Sequence, residues 1–306
     1  MTLLPNELSL ANKPVAQPSL AAPHTIGACA TLACLWEATA PKPGNVYRGA
    51  DFQDVSYADF LASAAVIGPV LEQAVQQGVG RTVLEAVRAT RAAVDTNTNL
   101  GTLLLLAPLA AIPCQRSLAA GIHAVLAALD AEDTRHVFEA IRLAQPGGLG
   151  QVDQADVHDA PTPSMTLAEA MQLAAEYDLV ARQFVNGFQQ VFFTAENVAA
   201  GLGRGWSLAE AIVYGFLQLL AEYPDSLVGR KGGAAIARQV SARAAAVLAQ
   251  GKPGQAAYAD AVAEFDFWLR SDAHRRNPGT SADLVAAGLF VLLREQRLDW
   301  PVRFYR

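Results

Sequence analysis

The sequence predicts an all-α fold, and three observations carry that prediction. Long segments rich in Ala, Leu, Gln, Glu and Arg place apolar residues at helical spacing, and these residue types favour helix. Hydroxyl-x-x-acid patterns at Ser56–Asp59, Thr82–Glu85, Thr166–Glu169, Ser207–Glu210 and Thr280–Asp283 each precede an apolar periodic stretch. In such a box the hydroxyl accepts an orphan N–H of the first turn and the acid reaches back to the cap. β-Branched clusters bounded by turn residues are nearly absent, which leaves no material for a sheet.

Taken in order, residues 1–23 hold four prolines and a single lysine without an apolar core, so they read as a flexible arm and not as a signal peptide. An apolar stretch carrying Cys29 and Cys34 predicts a helix over 25–39. The boxes at Ser56 and Thr82 open helices over 57–78 and 81–94. Residues 100–112 are apolar all round, as a helix wrapped by others must be, and contain Pro108. Ala- and Leu-rich periodicity predicts helices over 115–129 and 133–144. Residues 145–165, with clustered Gly and Pro, read as a long functional loop. Beyond it, helices are expected over 166–200, 207–222, 230–250, 254–271 and 281–296, with 211–220 again apolar on several faces. No long polar linker divides this run, so residues 24–306 are expected to form one all-α domain with buried central helices.

Bulk properties exclude several classes. A net charge of −6 without a basic tract argues against nucleic-acid and anionic-membrane binding. The mean hydropathy of +0.20 is high, yet the longest apolar run, residues 103–114, contains two prolines and is too short to span a bilayer. Cys29, Cys34 and Cys114 are an odd set without metal spacing, expected as small buried residues in a reducing cytoplasm. The high apolar fraction is compatible with a homodimer.

Chemistry concentrates between helices. Glu37, Pro41-Lys42-Pro43-Gly44-Asn45-Val46 and Gly49-Ala50-Asp51-Phe52-Gln53-Asp54 form a polar cluster whose prolines impose a shaped, non-helical loop. Four further segments are polar out of proportion to their length: Asp95–Gly101, Gln151–Asp159, Pro224–Gly233 and Arg275–Asp283. Arg230, Lys231, Arg275 and Arg276 lie beside glycines and run into helix N-termini, a natural setting for phosphate. Asp and Asn elsewhere suit Mg²⁺, which takes oxygen ligands and bridges phosphates. Together these imply a polyphosphate–Mg²⁺ ligand bound without a Walker A or G-x-G-x-x-G pattern. Each segment alone also reads structurally: Asn97 and Asn99 as caps, Gly232-Gly233 as close packing, Arg275-Arg276 as a solvated face. His24, His123 and His136 read as helix or helix-end residues. His274 flanks the arginine pair and can reach a ligand. His158 among Asp153, Asp156 and Asp159 reads as a metal site or a solvated acidic loop.

Glu37 with Pro41–Gly44, Gly49–Asp54, Asp95–Gly101, Asp225–Gly233 and Asn277-Pro278-Gly279-Thr280-Ser281-Ala282-Asp283 resemble, in order, the successive motifs of the triphosphoribosyl-dephospho-CoA synthase family. The resemblance spans residues 30–295 and implies an all-α transferase. The implied reaction moves a triphosphoribosyl group from ATP to 3′-dephospho-CoA, releases adenine and uses Mg²⁺. It implies Glu37, Asp54 and Asp225 as catalytic groups and Asp54, Asp225 and Asp283 as Mg²⁺ ligands. Lys42, Arg230 and Lys231 would grip phosphate, and Asn45, Asn97, Asn99, Asn277 and Ser281 would orient the substrates. The chain departs from the family pattern where Asp51 and Phe52 stand in a stretch that carries a histidine, and where Thr98-Asn99-Leu100 lacks a lysine. These departures bear on the substrate more than on the fold. They leave open a divergent transferase acting on another phosphorylated substrate in methanopterin- or methanofuran-type cofactor biosynthesis, a hydrolase acting at the same ribosyl centre, or a helical binding protein without catalysis.

Overall fold

Thr25 opens the first helix, α1 (Ile26–Thr39), by accepting the Ala28 N–H at its hydroxyl. The computed structural model describes residues 25–145 and 165–305, which form fifteen helices and no strand beyond an isolated Tyr47–Ala50 bridge. The arm 1–23, His24, and the loop carrying Asp153, Asp156, His158 and Asp159 lie outside the described residues.

Ser56 and Asp59 form the expected box at the head of α2 (Tyr57–Leu71). The helix expected over 57–78 stops early because Pro69 removes a backbone donor near its end. The Glu72 carboxylate then turns aside to cap the Gly27 N–H at 2.6 Å. A single turn, α3 (Ala74–Gln77), leads into α4 (Val79–Ala93), which starts ahead of the Thr82–Glu85 pattern. Thr82 therefore lies inside the helix and donates to the Gly78 carbonyl at 2.6 Å, so it caps nothing. The N–H of Gly80 is satisfied from outside by Asp133.

α5 (Leu100–Ala110) is buried along nearly its whole length, as its apolar sequence requires. α6 (Leu118–Ala127) starts at Ser117. α7 (Ala131–Ala144) opens on an Asp130–Asp133 box, in which aspartate takes the hydroxyl's role. The helix expected over 166–200 is three helices: α8 (Leu167–Ala174), α9 (Leu179–Asn186) and α10 (Gln189–Gly203). Side chains supply the backbone partners lost at each break. Arg182 donates to the carbonyls of Ala175 and Glu176 at the end of α8, and Asp178 accepts the Val180 and Ala181 N–H groups. The Gln183 carboxamide oxygen accepts the Gln190 and Val191 N–H groups across the second break.

Ser207–Glu210 boxes α11 (Leu208–Glu222) as expected. The helix expected over 230–250 is divided at Gly233 into α12 (Ser226–Gly232) and α13 (Ala234–Ala249). α14 (Ala256–Arg270) and α15 (Gly279–Arg294) complete the set. Because α15 starts at Gly279, Asp283 falls in its second turn, half-buried, bonding Thr102 and forming no box with Thr280. α15 is the central helix and packs on α1, α5, α10 and α11. Cys29 is buried as expected, Cys34 is half-buried, and Cys114 is exposed in the α5–α6 connection, where no apolar surface covers it. No described helix is long and apolar enough to cross a membrane.

The loop between α1 and α2 hangs from the end of α14. Arg270 Nε donates to both Asp266 oxygens, at 2.9 and 3.0 Å. The same guanidinium donates to the carbonyls of Asn45 and Ala50 and lies over the rings of Tyr47 and Phe52. Asp266 in turn accepts the Gly44 N–H at 2.7 Å and the Tyr47 hydroxyl. Gly44 sits at φ +76°, and a Cβ there would lie 2.8 Å from Leu269, so the turn that brings Asn45 inward accepts only glycine. Arg270→Lys loses the fork and the ring contacts. It is expected to lower stability by about 2 kcal/mol, read from the urea midpoint at unchanged slope.

Candidate functional site

The α1–α2 loop, the heads of α5 and α15, α12, and the α7–α9 face enclose a cavity of about 1240 Å³. Its lining comprises two sets of residues that differ in chemistry. One is polar, formed by Glu37, Asn45, Asp54, Asn97, Asn99, Arg230, Lys231, His274, Asn277 and Asp283. The other is apolar, formed by Phe138, Ile141, Leu167, Met171, Leu173 and Val180.

Glu37 projects from α1 and pairs with the fully buried Lys42 at 2.8 Å. Lys42 Nζ also donates to the Glu37 carbonyl, so the Pro-Lys-Pro-Gly turn is anchored on α1 by its own lysine. Lys42 does not line the cavity; it pairs with Glu37 from behind.

Asp283 stands across from α5. Its Oδ1 accepts the Thr102 hydroxyl at 2.6 Å, and a Cβ on Gly101 would lie 2.2 Å from its Oδ2. Only glycine at 101 admits this carboxyl to the helix surface. Burial pushes the Asp283 carboxyl up to about 7; the charges of Glu37 and Asp225 add to the rise, and the Thr102 hydrogen bonds oppose it. Burial likewise drives the Cys34 thiol far above its ordinary range, with Glu37 and Asp283 contributing, so Cys34 stays protonated.

Asp225 takes a different part. Its Oδ1 accepts the Val228 N–H, capping α12, and its Oδ2 accepts the N–H and hydroxyl of Ser281 at 2.7 and 2.8 Å. Burial raises its pKa and these hydrogen bonds oppose the rise. Asp225 and Ser281 thus tie α12 to α15 behind the cavity wall. Asp54 is exposed and lines the cavity. Among the described residues no group of three or more His, Cys, Asp or Glu side chains is placed to hold a metal. Asp54, Asp225 and Asp283 are accordingly not one cluster.

At the cationic side, Arg230 pairs with Asp178 at 2.5 Å. Arg275 donates to the Lys231 carbonyl at 3.5 Å, and Asn45 Nδ2 donates to Asn277 Oδ1 at 2.7 Å. Asn97 accepts the Leu100 N–H at the head of α5, and Asn99 donates to Thr90. The imidazole of His274 lies against Phe52 with ring centroids 4.0 Å apart.

Thr102 and Asp178 escaped the sequence reading. Thr102 is a hydroxyl on an otherwise apolar helix, which was the available signal. Asp178 was hidden because residues 166–200 read as uninterrupted helix, and a cap inside a helix carries no meaning.

Two variants probe these pairings. Lys42→Met leaves Glu37 as a nearly buried, unpaired carboxylate and is expected to cost about 3–5 kcal/mol; adding Glu37→Gln should recover much of it, as a denaturant double-mutant cycle would read. Asp283 has a folded pKa of about 7 against an ordinary 3.8. The native state therefore keeps a proton that the unfolded chain has lost, and stability falls as pH rises through that window. Asp283→Asn is expected to stabilise the protein above neutral pH by a few kcal/mol at most, read as a higher melting temperature, and to lose that advantage near about pH 4.

Comparison with known proteins bears on what the cavity is for. Residues 23–302 match the family described as ATP:dephospho-CoA triphosphoribosyl transferase. The crystal structure of a candidate triphosphoribosyl-dephospho-CoA synthase from Archaeoglobus fulgidus is similar, at 28% identity and a TM-score of 0.60 over 77% of this chain and 98% of that one. No protein of curated function matches the chain. The matched span takes in the whole described cavity, from Cys34 on α1 to Asp283 on α15. The chain belongs to the ATP:dephospho-CoA triphosphoribosyl transferase family, and is an enzyme of the transferase class.

Proposed function

We propose that the protein transfers the triphosphoribosyl group of ATP to the 2′-hydroxyl of 3′-dephospho-CoA, releasing adenine, with Mg²⁺ required. The observation that carries this reading is the meeting of a carboxylate wall, Glu37 and Asp283, with the cations Arg230 and Lys231 in one cavity. Glycosyl transfer at a ribose needs negative charge facing an oxocarbenium-like carbon, and a retained triphosphate needs cations. At about 1240 Å³ the cavity exceeds the roughly 300–1,000 Å³ of single-ligand pockets, which suits a donor and an acceptor together. The apolar lining matches the acceptor's pantetheine arm.

The C1″–N bond of ATP breaks with its electron pair going to adenine, while the acceptor oxygen bonds to C1″. Glu37, paired with Lys42, faces the positive charge that builds on the sugar. Asp283 takes the hydroxyl proton; an acid shifted toward neutrality suits a general base. Arg230 and Lys231 hold the phosphates, and Asn45 and Asn277 fix the loop edges between sugar and phosphate. Asp225 positions α12 and α15.

The charge inventory supports a divalent cation. Among the described lining residues Arg230 is already paired with Asp178, which leaves Lys231 as the unpaired cation facing the several negative charges of a triphosphate. The all-oxygen donor set fits Mg²⁺, with exposed Asp54 as its protein ligand beside phosphate oxygens. Bound there, Mg²⁺ supplies neutralisation of phosphate charge.

Purified protein given ATP, Mg²⁺ and 3′-dephospho-CoA is expected to release adenine in step with a triphosphoribosyl adduct, read by chromatography and mass spectrometry. Asp283→Asn should reduce turnover by at least about 100-fold. Folded wild-type protein that yields no adenine would sink this reading.

A further inference from the structure

We propose that His274 is the catalytic acid that hands a proton to the departing adenine. This rests on the transfer reading above.

The departing purine carries the electron pair of the broken bond, and it leaves readily only if a ring nitrogen is protonated. Few cavity groups can give that proton. Arg230 and Lys231 hold theirs too tightly near neutral pH. Cys34 does so as well, because burial beside Glu37 and Asp283 raises its thiol. Glu37 is paired with Lys42, and Asp178 is paired with Arg230 while capping α9. Asp283 receives the hydroxyl proton. His274 is the histidine among the described lining residues, and imidazole is the side chain most often used for general acid–base transfer.

The local geometry is that of a ring held for a purpose. Ala273 and His274 adopt φ of +43° and +63°, a left-handed pair without glycine. Such conformations cost about 1–3 kcal/mol each and persist where surrounding structure over-determines them. The overdetermination is visible. Asn277 donates its N–H to the His274 carbonyl at 3.2 Å, and Arg275 donates to the Asp272 carbonyl at 2.9 Å. The imidazole packs on Phe52, and Phe52 is itself under the Arg270 guanidinium. His274 Nδ1 is buried with no hydrogen-bond partner, which leaves Nε2 as the nitrogen able to meet a ligand. The Phe52–His274 pair also offers an aromatic surface of the kind on which nucleobases stack.

The proton balance closes. The imidazolium proton goes to a ring nitrogen of adenine as the C1″–N bond breaks, and adenine leaves neutral. The acceptor hydroxyl proton goes to Asp283. Solvent exchange then returns one proton to His274 and removes one from Asp283, so the hydroxyl hydrogen is in effect transferred to adenine.

The test compares two donors, ATP and N7-methyl-ATP, whose cationic purine leaves without a proton. His274→Asn is the main variant because asparagine tolerates a left-handed backbone, and His274→Gln is the second. The expected result is a loss in kcat/KM of about 100-fold or more with ATP and less than about 3-fold with N7-methyl-ATP, with the alkaline limb of the ATP pH profile lost. Equal losses with both donors, or no loss with ATP, overturn the assignment while leaving the transfer reading intact. Wild-type protein that releases neither adenine from ATP nor 7-methyladenine from N7-methyl-ATP overturns both.

Discussion

The Arg270–Asp266 pair is the interaction on which the site depends. The two residues are one helical turn apart on α14, and each is used several times over: by the other, by the backbone of the α1–α2 loop, and by the rings of Tyr47 and Phe52. That loop carries no regular structure, so it has no ladder of its own to hold Asn45, Phe52 and Asp54 in place. A half-buried ion pair supplies fixed donors and acceptors in their stead. The prolines restrict the loop, Gly44 permits its turn, and α14 sets where it stops. Asn45 then reaches Asn277 across the cavity, so two segments more than two hundred residues apart share one wall.

Helices here are supports for end-groups. Glu37 stands near the end of α1, Thr102 in the first turn of α5, Asp283 in the second turn of α15, and Arg230 and Lys231 in the last turn of α12. Burial then differentiates carboxyls of similar chemistry. Glu37 has a lysine as its ion-pair partner. Asp225 has three donors and becomes a joint. Asp283 has Thr102 and two acidic neighbours, and titrates near neutrality. One residue type serves three purposes because its surroundings differ.

Much of this was legible in the sequence. Fold class followed from composition and periodicity. The boxes at Ser56, Thr166 and Ser207 formed where the pattern placed them, since local hydrogen bonding decides a cap. The boxes at Thr82 and Thr280 failed for a non-local reason: α4 and α15 begin earlier, supported by Asp133 and by packing against α12, and the pattern falls inside the helix. The breaks after Ala174 and Asn186 were illegible because Arg182, Asp178 and Gln183 repair them from positions that read as ordinary helix. Of the site, the polar lining residues could be read as inter-helix clusters. What could not be read was facing direction. Nothing in the order of residues tells that Lys42, Asp225 and Ser281 stand behind the wall while Asn45, Asp54 and Asp283 line it.

The Arg230–Asp178 contact has a bearing on selectivity. Arg230 already has a counter-ion, so a ligand that wants this guanidinium must outbid a carboxylate at 2.5 Å. A triphosphate with its cation can do so; a nucleoside, or a nucleotide with a single phosphate, brings little to the exchange. Displacing Asp178 also loosens the cap of α9, whose N-terminal turn belongs to the apolar lining of the cavity. On the proposed transfer, seating the donor's phosphates at Arg230 is thereby linked to the shape offered to the acceptor, through a pair that belongs to neither substrate.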